Sequence, residues 1–157
     1  MITKRKISIL VIAGLALASV AATQEQEKKM KRSDLPAAVE KTVTAESAGA
    51  TVKGFSQEKE NGQIFYEAAM IVNGHSKDVL IDATGAVVEV EEQVALDALS
   101  PEVKAGLLAK AGKGKITTVE TIKKHDKLVA YEAKVNTYGK KSEVQVGPDG
   151  KPLDHEE

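Results

Sequence analysis

The side chains of this 157-residue chain with chemistry to offer are few: three histidines, a glycine–lysine run, adjacent carboxylates and, of three tyrosines, the two that fall within expected strands. His75 and His125 fall at expected hairpin tips and His155 in the C-terminal tail. None has metal-ligand spacing to another histidine, and there is no cysteine to join them. The tail Asp154-His155-Glu156-Glu157 has the donor types for a divalent cation, but a frayed end does not preorganise ligands. Gly112-Lys113-Gly114-Lys115 differs from a phosphate loop in following a helix instead of a strand, and its spacing is wrong; it reads as a helix end and a basic turn. Glu91-Glu92 are sequence neighbours expected in a solvated linker, which does not suit acid–base catalysis. Tyr66 and Tyr131 read as packing residues. The nucleophile elbow, the Walker loop, the dinucleotide fingerprint and the His-Glu-x-x-His pattern are all missing. The expectation is a protein without catalytic residues, metal site or cofactor, and not an enzyme.

Composition narrows the partners. Aromatic residues make up 3% of the chain, too few for a platform that stacks bases or sugars. With 22 basic and 23 acidic residues, the charge of −1 argues against nucleic-acid binding. A hydrophobic fraction of 42% is enough for a core, which must hold without disulfides.

Residues 1–22 have the pattern of a secretory signal peptide. Lys4-Arg5-Lys6 are followed by an uncharged apolar run and then by Ser19-Val20-Ala21-Ala22, with cleavage expected after Ala21 or Ala22. The apolar run is shorter than the ~20 residues of a membrane span, so no stable membrane insertion is expected after cleavage. The mature protein then has 19 basic and 23 acidic residues and is expected in the periplasm or secreted. Residues 23–33, polar and without apolar periodicity, are expected to form a flexible leader.

The chain also resembles itself. Residues 65–92 laid over 130–157 give Tyr66-Glu67-Ala68 on Tyr131-Glu132-Ala133, Gly74 on Gly139, Val79 on Val144 and Gly85 on Gly150. Two copies of one unit are expected, over 34–92 and 93–157. Each should open with a helix. In the first, Ser33 or Asp34 can cap and Leu35, Val39 and Val43 form the apolar stripe; in the second, Ser100 caps and Val103, Leu107 and Ala111 form it. Asn61-Gly62, Asn73-Gly74, His125-Asp126 and Tyr138-Gly139 then mark tight turns between consecutive strands. The expected fold class is α+β: two tandem α-β-β-β-β repeats, each a helix on a four-stranded antiparallel meander.

Alternation assigns faces. Ile64, Tyr66, Ala68 and Met70 should face the first helix, and Val129, Tyr131, Ala133 and Val135 the second. The opposite face of the first unit is then apolar at Phe65, Ala69, Ile71 and Leu80, where the second has Ala130, Lys134, Asn136 and Gln145.

The Pro-containing helix starts (Leu35-Pro36-Ala37-Ala38-Val39 and Ser100-Pro101-Glu102-Val103), the Tyr-Glu-Ala strands and the Asp-x-x-Gly and Pro-Asp-Gly turns resemble the PepSY-like, or β-lactamase-inhibitor-protein-like (BLIP-like), domains of exported bacterial proteins. The resemblance spans residues 34–157. It implies a helix packed on a four-stranded sheet in each copy, and a non-enzymatic binding or peptidase-inhibiting role. Pro152 and His155 stand where the first copy has Val87 and Val90, which weakens the final expected strand.

The functional expectation is an exported module that engages a protein or peptide of the cell envelope, such as a peptidase, through Phe65, Ala69, Ile71 and Leu80, since contiguous exposed apolar area marks interfaces. Two other readings stand beside it. One is a small-ligand or divalent-cation-binding envelope stress protein; the other is that the apolar face joins the two repeats.

Overall fold

A computed structural model describes residues 28–60, 62–155 and 157. The expected signal peptide lies outside the described residues. The elements run β1 (Lys28–Met30), α1 (Ala37–Glu46), β2 (Thr51–Glu60), β3 (Gln63–Val72), β4 (His75–Asp82), β5 (Val87–Val94), α2 (Pro101–Ala111), β6 (Lys115–Lys124), β7 (Lys127–Thr137) and β8 (Lys140–Val146).

The strands form one antiparallel sheet in the order β1-β2-β3-β4-β5-β6-β7-β8. This corrects the expectation of two tandem four-stranded units. The joint is the β5–β6 ladder, running from Glu89↔Lys124 to Val94↔Val119. A free β5 edge would leave a row of N–H and C=O groups without ladder partners, and β6 supplies them. The stretch around Glu91-Glu92, expected as a linker, is part of strand β5. The end of the chain departs too. Among the described residues no strand follows β8, and Pro152, without an N–H, sits where the missing strand was expected. Of the polar leader, Lys28–Met30 is an ordered edge strand paired with Gln57, Ser56 and Phe55.

Both helices lie on one face. Val39 and Val43 of α1 pack with Ala68, Met70, Val79 and Ile81, and Val90 of β5 joins that cluster. Val103, Leu107 and Ala111 of α2 pack with Val119, Ala133, Val135 and Val146, and Val94 joins that one. Val90 and Val94 are four residues apart on the same regular strand, so the two cores share one side of the sheet. Tyr66 and Tyr131 pack half-buried against their respective cores. Ladder partners recur 65 residues apart, with Tyr66↔Ile81 and Ala68↔Val79 matched by Tyr131↔Val146 and Ala133↔Val144.

The helix starts differ. Ser100 caps α2, its Oγ accepting from the Val103 N–H at 3.3 Å, with Pro101 as the first helical residue. For α1 the expected cap by Ser33 or Asp34 is replaced by Pro36, and Asp34 closes a single 3-10 turn by accepting from Lys31 N–H at 3.3 Å. The turn after β4 is held by Asp82, whose Oδ1 accepts from Thr84 Oγ1 at 2.6 Å, Thr84 N–H at 2.8 Å and Ala86 N–H at 3.0 Å. The Thr84 hydroxyl foremost, then the Ala86 N–H, hold this carboxyl below the usual carboxylate range. A depressed folded-state pKa contributes stability above the unfolded pKa and loses it as pH falls through the folded value. Asp82→Asn is therefore expected to melt below wild type at pH 7, with the gap closing below about pH 4. A gap that stays constant with pH would show that the carboxylate charge plays no part.

Candidate docking face

The side of the sheet away from the helices is built from the alternate residues of each strand. Ladder partners place Glu58, Phe65 and Asp82 in one row across it. The next row is Ser56, Glu67, Leu80, Glu89 and Lys124; the one after that is Ala69, Asp78, Glu91, Ile122 and Ala130. Phe65, Ala69, Ile71 and Leu80 all lie on this face and are all half-buried. Phe65 and Leu80 are diagonal neighbours across β3 and β4, within side-chain reach. Ile71, opposite Ser76, stands six residues from Phe65 along β3, so the apolar residues form a stripe with Glu67 and Asp78 beside it. The two halves of the sheet meet edge to edge through β5 and β6, which excludes the reading of this face as a contact between stacked repeats.

Over β6–β8 the same face is covered. Leu153 lies beside Gly147, and the Glu157 N–H donates to Gln145 Oε1 at 2.8 Å, while Gln145 Nε2 donates back to the Glu157 carbonyl at 3.4 Å. Lys124 Nζ reaches Glu157 Oε2 at 3.0 Å. The tail thus crosses the strands that carry Ile122 and Ala130, which are 1% and 0% exposed. Around them Lys134 Nζ pairs with Glu120 Oε2 at 2.7 Å, and Gln145 Nε2 donates to Glu132 Oε2 at 2.9 Å. Glu120 and Glu132 are buried in this network. Of the polar positions of the second half, Gln145 therefore meets the chain's own tail, while Lys134 pairs with Glu120.

The open half carries a groove of about 520 Å³, with Ile64, Phe65, Leu80, Ala83 and Val88 as its apolar lining and Asp82, Glu89, Lys124 and His125 among its polar groups. Ile64, expected in the core, is 40% exposed at this end of β3, where the strand runs beyond its helix. Sequence reasoning found Phe65 and Leu80 but missed Ile64, Val88 and the residues from β6. Lys124 and His125 reach the groove only because β6 pairs with β5; the His125 N–H donates to the Val88 carbonyl at 3.1 Å. The acidic character of the face was missed as well, although the alternation of Glu89 and Glu91 in β5 places both carboxylates on one side.

The other residues with chemistry lie apart. His75 begins β4, His125 occupies the β6–β7 turn and His155 the tail, all three exposed. Gly112–Lys115 joins α2 to β6, with the Gly112 N–H donating to the Leu108 carbonyl at 3.1 Å. Glu91 and Glu92 point to opposite faces of β5, and Glu92 Oε2 pairs with Lys123 Nζ at 2.8 Å. Among the described residues no group of three or more His, Asp or Glu side chains is arranged to hold a metal ion.

No protein-family model matches the sequence, and no curated protein matches it either. Solved structures do. A DUF2874 family protein from Bacteroides ovatus is 22% identical with a TM-score of 0.58, covering 76% of this chain and 85% of that one. A BLIP-like protein from Bacteroides fragilis is 19% identical with a TM-score of 0.55, covering 76% and 83%. The fold is BLIP-like. A Bacteroides eggerthii protein whose name assigns it, provisionally, to the periplasm is 17% identical with a TM-score of 0.59, covering 76% and 86%. At these identities the likeness is one of fold.

Proposed function

We propose that the chain is an exported, periplasmic binding module without enzymatic activity, which engages a protein or peptide of the cell envelope through the helix-free face of β2–β5. Inhibition of a peptidase or another envelope enzyme is one form such binding takes. The observation supporting this reading is that Phe65, Ala69, Ile71 and Leu80 lie, half-buried, on the sheet face that, among the described residues, neither helix nor the other half of the sheet covers. Contiguous apolar area left toward solvent in a small domain marks an interface. The periplasmic name of the Bacteroides eggerthii neighbour and the signal-peptide pattern of residues 1–22 support the compartment. Among the described residues no helix is long and apolar enough to cross a membrane.

Neither Phe65 nor Ile71 belongs to the clusters beneath the helices, so the double variant Phe65→Ser/Ile71→Ser should keep the fold and its melting temperature to within a few degrees. It should lose the proteins that the wild type captures from an envelope extract. A folded variant that captures the same proteins to the same extent would overturn the assignment of this face.

A further inference from the structure

We infer that the projecting end of the second half, where the α2–β6 loop meets the β7–β8 hairpin, is a peripheral contact for an anionic lipid surface. Lys113, Lys115, Lys140 and Lys141 meet the lipid phosphates, and Tyr138 seats in the headgroup layer. The inference goes beyond the docking reading above and uses none of its residues. Two turns build this end. β6 starts at Lys115, four residues before Val119, the last ladder partner of β5, so it begins about 13 Å beyond that ladder. Gly114 packs directly against Val135 and Thr137 of β7, with no room for a Cβ, which holds the loop after α2 beside the hairpin. The Gly139 N–H donates to Asn136 Oδ1 at 2.8 Å and fixes the hairpin turn. Asn136 is the ladder partner of both Lys115 and Lys141, which therefore stand on one face about 10 Å apart.

All four lysines and Tyr138 are exposed, and the four ammonium groups have no hydrogen-bond or ion-pair partner among the described residues. No acidic residue occurs in 112–118 or 136–142. On a mature chain with 19 basic and 23 acidic residues, this end is a local concentration of positive charge.

Tyr138 tells what the charge is for. It is 90% exposed and has φ +53°, a left-handed conformation that is costly for a residue with a Cβ and that no packing offsets. The first half has Asn73-Gly74-His75-Ser76 where the second has Tyr138-Gly139-Lys140-Lys141, and residues 47–50 after α1 carry no charge. The fold is thus made once without the tyrosine and without the lysines. Lysines on an edge strand also discourage strand addition, but that leaves Tyr138 without a role. An amphipathic ring beside several ammonium groups is the composition that a membrane–water interface selects, the ring at headgroup level and the cations on the phosphates. Shape agrees. Neither the groove at Phe65 nor the one between α2 and Pro152 includes any of these five residues. A ligand that is enclosed needs a concave site, whereas a projecting tip meets an extended surface.

Co-sedimentation with lipid vesicles tests this on the mature chain, residues 23–157, which keeps every element of the fold. Saturable binding is expected to vesicles of equal parts phosphatidylcholine and phosphatidylglycerol, and none to phosphatidylcholine alone. Binding should weaken at least tenfold between about 50 mM and 500 mM salt, as screening shortens the range of the attraction. Lys140→Gln/Lys141→Gln should weaken it at least tenfold, at about fivefold for each ammonium group lost. Lys28→Gln/Lys29→Gln, on β1 at the opposite edge of the sheet, should leave it within about twofold. Tyr138→Asn should bind at least fivefold more weakly yet melt no lower than wild type, because asparagine adopts this φ more readily. Equal losses from the two lysine pairs, equal binding to neutral vesicles, or wild-type binding by Tyr138→Asn would overturn the inference. Saturable binding of an oligoglutamate peptide with none to the anionic vesicles would replace the lipid surface by an acidic protein. None of these variants alters Phe65 or Ile71, so the docking face stands or falls by its own test.

Discussion

Gly85→Ala is expected to destabilise the protein by about 3 kcal/mol or more, from two independent costs. Gly85 has φ +88°, a left-handed conformation that a residue with a Cβ adopts at a cost of roughly 1–2 kcal/mol. An added Cβ would also fall 2.7 Å from the Ala38 carbonyl oxygen and 2.9 Å from its carbon, both backbone atoms of α1. The turn cannot simply move outward. Thr42 Oγ1 of α1 donates to the Gly85 carbonyl at 2.6 Å, and Asp82 ties the other side of the loop to Thr84 and Ala86. The contact therefore has to open by displacing α1 from Ala68, Met70, Val79 and Ile81. Gly150, φ +78°, meets the Glu102 backbone of α2 in the same way, so Gly150→Ala should cost a similar amount. Thermal melting decides this. A Gly85→Ala protein that melts within a degree or two of wild type would mean that the turn is not clamped to the helix.

The second large effect is at Leu107, which is 0% exposed and central to the cluster of Val103, Ala111, Val119, Ala133, Val135 and Val146. Leu107→Ala removes three buried carbons and leaves a cavity between α2 and the sheet, at a cost of about 3 kcal/mol and roughly 10 °C in melting temperature. Leu108, its neighbour on the same helix, is 48% exposed, and Leu108→Ala should change stability by less than about 0.5 kcal/mol. The pair forms an internal control, because both substitutions change helix propensity equally. Similar losses at the two positions would mean that α2 does not present the Leu107 side to the sheet.

The two helices were legible because their stripes are short-range patterns. Val39 with Val43, and Val103 with Leu107 and Ala111, repeat at helical spacing, and those residues are the ones buried. The turns were legible for the same reason: Asn73, Gly74 and Gly139 are of types that favour positive φ and adopt it, and Tyr138 is carried into the same region beside Gly139. At Ile64 alternation failed, because it says which side of a strand a residue occupies and not whether a helix covers that end of the strand. At Val129, expected to face the second helix but absent from that cluster, it failed for a different reason, since a register irregularity between Ile122↔Ala130 and Lys123↔Leu128 interrupts the period of two.

For the candidate site the division is similar. That Phe65, Ala69, Ile71 and Leu80 share a face follows from strand periodicity and a tight turn at Asn73-Gly74, both local properties of the sequence. That Lys124 and His125 join Phe65 and Leu80 around one groove depends on β5 pairing with β6, across the 20 residues between the two strands that include α2. Thus the amino-acid sequence by itself determined the helices, the hairpins and the facing of most side chains, since each is encoded within a few neighbouring residues. Tertiary structure alone decided that the strands form one sheet instead of two, that Glu157 returns to Lys124 of β6 and Gln145 of β8, and that, among the described residues, neither helix covers the Phe65 side of β2–β5. Those outcomes follow from satisfying strand edges and packing both helices on one side, which are conditions on the whole chain at once.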